Sequence, residues 1–321
     1  MAQLRGKMVL VTGGAGFIGS HITEGLVAAG SRVKVLDNLC SGKKENLSSV
    51  FSRIEFIEGD IRDPKALSAA LEGVDLVSHQ AALLSVPKSV ERPWEYNDVN
   101  VNGTLALFVR ARQLGIKRIV CASSSAVYGE RADFPERESD VPKPISPYAA
   151  TKLAVEHYSY VFSYLYGMEI VNLRYFNVFG PKQSLDDEYA VVVPKFTISL
   201  LKNDPPPIYG DGEQERDFTF IGNVVDANLD ALVKPDIAGE VFNVASGSPQ
   251  SVNALFKVLK DITRAKVSAK YAPARKGDVR KSHADIAKLQ KLLGRKPGVD
   301  FRSGLEKTVE WFRKQTTDQR Q

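Results

Sequence analysis

Tyr148 and Lys152 stand four residues apart in Ser146-Pro147-Tyr148-Ala149-Ala150-Thr151-Lys152. Pro147 suits the first turn of a helix, so both side chains fall on one helix face. A phenol with a pKa of about 10 is a poor base at neutral pH, and a neighbouring ammonium favours its ionised form. Alone, the pair is an ordinary helix-surface spacing. Upstream, Ser123-Ser124-Ser125-Ala126-Val127-Tyr128-Gly129 leaves a strand-like run. A hydroxyl at the carboxyl end of such a strand can hydrogen-bond a substrate alcohol. One or two of these serines are expected only to satisfy nearby backbone.

A second kind of chemistry is written in Thr12-Gly13-Gly14-Ala15-Gly16-Phe17-Ile18-Gly19, which follows an apolar run and opens a helical pattern. Gly13, Gly16 and Gly19 recur at three-residue spacing, as a tight strand-to-helix turn needs where backbone meets a pyrophosphate. Asp37, with Asn38 after it, ends the next strand pattern, where a carboxylate can accept from both ribose hydroxyls. No Arg follows in Asn38-Leu39-Cys40, so a 2′-phosphate would meet negative charge without a clamp. The pattern therefore predicts NAD rather than NADP. Gly59-Asp60-Ile61, ending the third strand pattern, is placed to meet the adenine edge, although an isolated Asp there equally makes a plain turn.

These residues need a frame to hold them. Strand patterns at Met8–Thr12, Arg32–Leu36, Ile54–Glu58, Leu76–His79 and Arg118–Ala122 alternate with helical ones at Ile18–Ala29, Pro64–Leu71 and Val99–Leu114. Ile170–Arg174 reads as a sixth strand after a helix over Tyr148–Tyr166. Such alternation predicts an α/β fold with a doubly wound, mostly parallel Rossmann sheet. Beyond residue 180 the rhythm loosens at Pro181, Pro194 and Pro205-Pro206-Pro207. Helices are expected at Val224–Val233, Asn253–Thr263, Ala284–Leu293 and Gly304–Lys314, with a strand at Glu240–Val244. The division is 1–180 for the dinucleotide-binding unit and 181–321 for a smaller mixed α/β substrate lobe, some of whose segments return to the sheet.

Composition sets the outer bounds. The chain has 321 residues, 43% hydrophobic and 25% charged, which is globular enzyme composition. Its apolar runs are far short of the ~20 residues a bilayer requires, and no signal core precedes Met8, so no membrane association is expected. Two cysteines, Cys40 and Cys121, make neither a disulfide framework nor a zinc site, which points to a reduced cytoplasm and no metal. From Lys257 onward there are 18 Lys and Arg against 7 Asp and Glu, whereas the first 256 residues carry 25 against 31. Those basic residues interleave with apolar ones at helical spacing, which suits a solvated face near a phosphate-bearing ligand rather than nucleic acid.

The ordered set Thr-Gly-Gly-Ala-Gly-Phe-Ile-Gly, His79-Gln80-Ala81-Ala82, the triple serine, Tyr-x-x-x-Lys and Leu173-Arg174-Tyr175-Phe176-Asn177-Val178-Phe179-Gly180 resembles the extended short-chain dehydrogenase/reductases. The closest resemblance is to their nucleotide-sugar 4-epimerases, and it runs from about Lys7 to about Phe312. It implies that Tyr148 removes the proton of the sugar 4-hydroxyl while NAD takes the C4 hydride, that Ser124 orients the oxygen, and that Lys152 lowers the phenol pKa. Return of the hydride to the other face of a 4-keto intermediate regenerates NAD. The cofactor residues so implied are Gly13, Gly16, Phe17, Ile18, Gly19, Asp37, Asn38, Asp60, Ile61, Gln80, Ala81, Ala82, Tyr148, Lys152 and Tyr175.

For a UDP-sugar substrate the resemblance implies Asn177 at the diphosphate or sugar and Tyr209 stacked on uracil. It also implies Arg216 and Arg275 on the diphosphate, Asp278 on the uridine ribose, and Ser124 and Ser125 at the sugar. Guanidinium forks suit phosphate geometry. Ser282 is small where relatives that exclude acetylated sugars carry a tyrosine, and Ser85 and Gln183 resemble the N-acetylhexosamine type. Leu84 and Val191 are larger than usual there and narrow the same pocket, a misfit of only ~1–3 kcal/mol. Use of both glucose-type and N-acetylglucosamine-type UDP-sugars is therefore expected.

Dehydratases and decarboxylases of the superfamily place acids where this chain has Ser125-Ala126, and a uronate epimerase would add a cationic contact. A non-catalytic NAD-binding regulator is disfavoured by the intact Ser124, Tyr148 and Lys152. The resemblance further implies a homodimer joined through the helices near Val99–Leu114 and Tyr148–Tyr166, with Leu105, Phe108, Tyr160 and Tyr164 in an apolar seam.

Overall fold

The computed structural model describes residues 2–184, 192–274 and 280–318. The first half alternates strand and helix. It contains β1 (Met8–Thr12), α1 (Phe17–Ala28), β2 (Arg32–Asp37), β3 (Ile54–Glu58), α2 (Pro64–Leu71) and β4 (Leu76–His79). Next come α3 (Val86–Glu91), α4 (Pro93–Asn97), a π turn over Asp98–Gly103, and α5 (Thr104–Gln113). The half closes with β5 (Arg118–Ser124), α6 (Pro147–Tyr166) and β6 (Glu169–Tyr175). The remaining elements are β7 (Val178–Phe179), α7 (Val192–Leu201), β8 (Pro207–Tyr209), β9 (Glu215–Arg216), β10 (Thr219–Phe220) and α8 (Ile221–Val233). They end with β11 (Val241–Val244), β12 (Gln250–Ser251), α9 (Val252–Thr263), β13 (Lys270–Ala272) and α10 (Phe301–Asp318).

Seven strands form one parallel sheet in the order β11-β6-β5-β4-β1-β2-β3. The runs that build it are apolar on both faces, as a sheet covered on both sides requires, and Val9, Leu10 and Val11 are fully buried. Helices α2, α5 and α6 cover one face around Leu67, Phe108 and Phe162, while α1, α8 and the C-terminal helices cover the other around Leu26, Val224 and Leu305. Strand order reverses at β1, so Thr12 lies beside Leu36 of β2 and beside His79 of β4. A crevice opens beyond the carboxyl ends of the strands at such a reversal. Outside the large sheet the short strands pair two by two, β10 with β7, β12 with β9 and β13 with β8. Among the described residues no helix is long and apolar enough to cross a membrane.

Three expectations shift in detail. Strand β5 runs on to Ser124, because pairing with β6 continues through Ser124 opposite Tyr175, so two of the three serines belong to the strand. The helix expected from Ala284 starts later. Ala284 is held in a bridge to Glu136, and the Asp285 carboxylate accepts the Ala287 N–H at the new helix start. Phe108 packs against Phe162 in the core and Leu105 packs beside that cluster, so neither leaves α5 with the exposed seam expected of it.

Candidate active site

The turn after β1 is shaped by close approach. Gly13 has φ +66°, its N–H donates to the Leu36 carbonyl at 2.8 Å, and a Cβ there would fall 2.7 Å from the backbone nitrogen of Ala81. A side chain at Gly19 would collide with the Gly13 carbonyl. Gly16 differs, because its Cβ would meet only the Gly13 oxygen, at 3.2 Å. Gly16 is also the N-cap of α1 and offers no side-chain acceptor. The first-turn N–H groups of α1 therefore face outward with the positive end of the helix dipole.

That outward face borders a cavity of about 570 Å³. Of the residues expected at the cofactor, Gly13, Gly16, Phe17, Ile18, Gly19, Asp37, Asn38, Asp60, Ile61, Gln80, Ala81, Ala82, Tyr148, Lys152 and Tyr175 all line it. Asp37 accepts N–H bonds from Ala15 (2.9 Å) and Leu39 (2.8 Å), and burial pushes its carboxyl above the usual range. Each carboxylate oxygen keeps a further lone pair for a ligand hydroxyl. At the adenine end, Arg62 grips Asp60 through Nε (2.9 Å) and Nη2 (2.8 Å) and reaches Asp98 through Nη1 (2.8 Å). Hydrogen bonds from Arg62 bring the Asp60 carboxyl down to about 2, and Asn38 donates to the same carboxylate at 2.9 Å. Arg62 was not anticipated, although its place two residues after Asp60 is the signal for it.

Tyr175 and Gln80 meet at the floor of the cavity. The Tyr175 hydroxyl lies 3.1 Å from Gln80 Oε1 and accepts from Asn228 Nδ2 at 2.9 Å, while Gln80 Nε2 donates to Ser78 at 3.0 Å. Asn228 comes from α8, far along the chain, and no local pattern announces it.

Tyr148, Lys152 and Ser124 line the same cavity. Ser146 caps α6 by accepting the Ala149 N–H at 3.2 Å, with Pro147 in the first turn, so Tyr148 and Lys152 begin this helix on a shared face. Tyr148 is 8% exposed and hydrogen-bonded to the Ser124 hydroxyl. Burial pushes the phenol above its usual range, the Ser124 bond opposes this, and Tyr96 adds to it. Lys152 Nζ donates to the Ala122 carbonyl at 2.8 Å, and burial lowers its ammonium to about 8. Burial dominates the phenol, and Lys152 spends a hydrogen bond on the end of β5.

Ser125 lines the cavity in the short turn after β5, as do Asn177, in left-handed backbone at φ +36°, and Gln183. Gln183 Nε2 donates to the Val178 carbonyl at 3.0 Å, while its Oε1 is buried without a protein partner. Ser85 does not line the cavity, since its hydroxyl caps α3 by accepting from the Lys88 N–H at 3.3 Å. Tyr209, Arg216 and Ser282 also stand outside that lining. They belong to the second lobe, where the Ser282 N–H donates to the Glu215 carbonyl at 3.1 Å and the Gln214 side chain reaches the Tyr209 carbonyl at 2.9 Å. Val191, Arg275 and Asp278 lie outside the described residues.

Residues 9–245 match the model of the NAD dependent epimerase/dehydratase family. The chain belongs to this family. A putative UDP-glucose 4-epimerase of Methanocaldococcus jannaschii is 41% identical over 309 residues, 95% of this chain and 98% of that protein. The UDP-N-acetylglucosamine 4-epimerase of Methanobrevibacter ruminantium, solved with UDP-N-acetylmuramic acid, is 42% identical with a TM-score of 0.93, covering 97% of this chain and 99% of that one. Thermus thermophilus UDP-glucose 4-epimerase, solved with NAD, is 40% identical with a TM-score of 0.87, covering 95% and 99%. NAD is the cofactor of this epimerase/dehydratase family, and the cavity suits it. Gly16 puts no side chain beside the uncapped helix N–H groups, and the buried Asp37 suits ribose hydroxyls. Arg62, committed to Asp60 and Asp98, does not offer the free cation that a 2′-phosphate would need.

Proposed function

We propose that this protein is an NAD-dependent 4-epimerase that inverts C4 of a UDP-hexose, of both glucose and N-acetylglucosamine type, through a transient 4-keto sugar. The observation that carries this reading is the Tyr148 phenol, hydrogen-bonded to Ser124 inside the cavity that Lys152 and the glycine turn also line. The chemistry that bound NAD supplies is reversible uptake of the C4 hydrogen with its electron pair. Tyr148 takes the proton of the sugar 4-hydroxyl and later returns it, and Ser124 holds that oxygen against the phenol. Lys152 helps the buried phenol to ionise while it remains protonated. Leu83, Leu84, Val86 and Ala126 supply apolar wall, which has little to fix one face of the keto sugar and so lets it turn over. On the turn after β5, Ser125 and Ala126 replace the acids that elimination or decarboxylation would need.

Within the second lobe, Tyr209, Arg216 and Ser282, with Arg275 and Asp278, are read as the UDP and sugar contacts, and Ser85, Asn177, Gln183 and Val191 as neighbours of the hexose. Incubation with UDP-glucose, UDP-N-acetylglucosamine and UDP-glucuronate, followed by proton NMR, tests the reading. C4 inversion of the first two without loss of mass is the expected result. Loss of water or carbon dioxide would overturn it, and turnover of UDP-glucuronate alone would reassign the substrate.

A homodimer is part of the proposal. Tyr160 and Tyr164 of α6 stack 6.2 Å apart on the surface, at 60% and 77% exposure, beside exposed Val161 and Leu165. Light scattering should give about twice the 35.3 kDa chain mass. A cytoplasmic setting suits the two cysteines, which remain free thiols, Cys40 exposed and Cys121 buried.

A further inference from the structure

Behind the reacting end of the cavity lies an ion pair to which the reaction above assigns no part. Glu156 follows Lys152 by one turn of α6 and points at the ends of β5 and β6. Its Oε1 accepts from Ser123 Oγ at 2.6 Å and from Arg174 Nε at 2.9 Å, and its Oε2 accepts from Arg174 Nη2 at 2.7 Å. All three residues are nearly dry, at 3% exposure for Ser123, 6% for Glu156 and 3% for Arg174. The guanidinium also lies 4.6 Å from the centroid of the Tyr128 ring. Each partner adjoins a working residue, since Ser123 precedes Ser124, Arg174 precedes Tyr175, and Tyr128 ends the turn that Ser125 begins. A buried ion pair is a poor source of net stability, because desolvation of two charges offsets most of their attraction.

We infer that Glu156 and Arg174 are positioning residues, whose carboxylate fixes the Ser123-Ser124 strand end and holds Lys152 in its cationic form. Lys152 has little else to keep its charge. From β5 it faces Cys121, from β4 His79, and on its own helix Tyr148 and Glu156, with Arg174 of β6 reaching it across Glu156. Burial pushes the Cys121 thiol up to about 12 and the His79 imidazole down to about 3, so both are neutral near pH 7. Glu156 then supplies the negative charge that opposes the burial of Lys152, from a carboxylate whose place Ser123 and Arg174 fix. The sign follows directly. Without the carboxylate, the Lys152 pKa falls further below its present position of about 8 and the amine is neutral at working pH.

The inference rests on Tyr148 and Lys152 as the reacting pair, but its test needs no turnover. In the full-length protein, Lys152 is acetylated with acetic anhydride across pH, and the modified peptide is quantified by mass spectrometry. Glu156→Gln should move the labelling midpoint down by about one unit, a displacement in line with one close charge in a buried site. It should also move the alkaline limb of the kcat profile down by the same amount, with KM changing less. Glu156→Asp, which keeps the charge, should restore the midpoint. If Glu156→Gln with Arg174 left bare does not fold, Arg174→Gln, which leaves the Glu156 carboxylate unopposed, should move the midpoint up instead. An unmoved midpoint in whichever variant folds would overturn the inference and leave a packing role only. A failed NMR substrate panel with a shifted midpoint would sink the epimerase reading alone.

Discussion

From Thr12 to Gly19 one short turn meets Ala81 and Leu36 at fixed close distances, so close backbone packing shapes the end of the cavity that the glycines line. The end proposed for the sugar and uridine is assembled differently. Asn177, Gln183, Tyr209, Arg216 and Ser282 arrive on separate loops and on strands of two or three residues, joined by backbone bonds such as Ser282 N–H to the Glu215 carbonyl and Glu215 N–H to the Arg280 carbonyl. A glycine turn can carry one cofactor unchanged because a backbone cradle reads phosphate, which all dinucleotides share. Side chains on loosely tied loops can be exchanged one at a time, and that suits the part of the site that must choose among sugars.

Five substitutions would break or sharpen this contrast. Tyr148→Phe sits where the two ends meet and should reduce epimerisation by about a thousandfold, within the range of general acid–base contributions. NAD released on denaturation should stay at the level of the unsubstituted protein, and undiminished NMR turnover would refute the assigned base. Gly19→Ala drives a methyl into the Gly13 carbonyl and should cost about 1–3 kcal/mol in denaturant unfolding. Gly16→Ala should leave stability within about 0.5 kcal/mol yet weaken NAD binding by calorimetry. Equal stability losses at the two positions would contradict the distinction between a packed and an open glycine.

On the sugar side, Ser282→Tyr should lower kcat/KM for UDP-N-acetylglucosamine about tenfold or more relative to UDP-glucose, with NAD content unchanged. An unchanged ratio would remove Ser282 from the hexose pocket. Glu136→Gln tests the fastening between the halves. Glu136 is buried, accepts the His283 N–H at 3.1 Å, and has its carboxyl pushed up to about 7 by burial, opposed by His283 and Arg131 and reinforced by Asp217 and Asp140. Because the folded pKa exceeds the unfolded one, folding favours the protonated form, and stability falls as pH rises from about 4.5 to about 7. The amide should remove that slope and gain about 1–2 kcal/mol at pH 8. Parallel unfolding curves at pH 5 and pH 8 would count against it.

Much of the fold and half of the site are legible in the chain because they depend on neighbours in sequence. The glycine turn, Asp37 at the end of β2 and the Tyr148–Lys152 spacing are short-range patterns with a single steric solution. Ser123 and Ser124 were read as loop because an exposed serine run resembles a turn, and only pairing with β6 carries the strand to Ser124. Phe108 suits a dimer seam or the core equally in the sequence, because a helix pattern shows an apolar face without saying what covers it, and here Phe162 does.

The sequence by itself determined the parallel sheet, the glycine turn and the phenol, ammonium and hydroxyl proposed to react, since each follows from local backbone geometry and side-chain chemistry. Only the tertiary structure decided their electrostatics. It buried Tyr148, bound Lys152 to Ala122, clamped Asp60 with Arg62 and placed Glu156 against Arg174. Charge in a dry interior is governed by whichever distant strand or helix supplies the next dipole, and sequence spacing does not record which one that is.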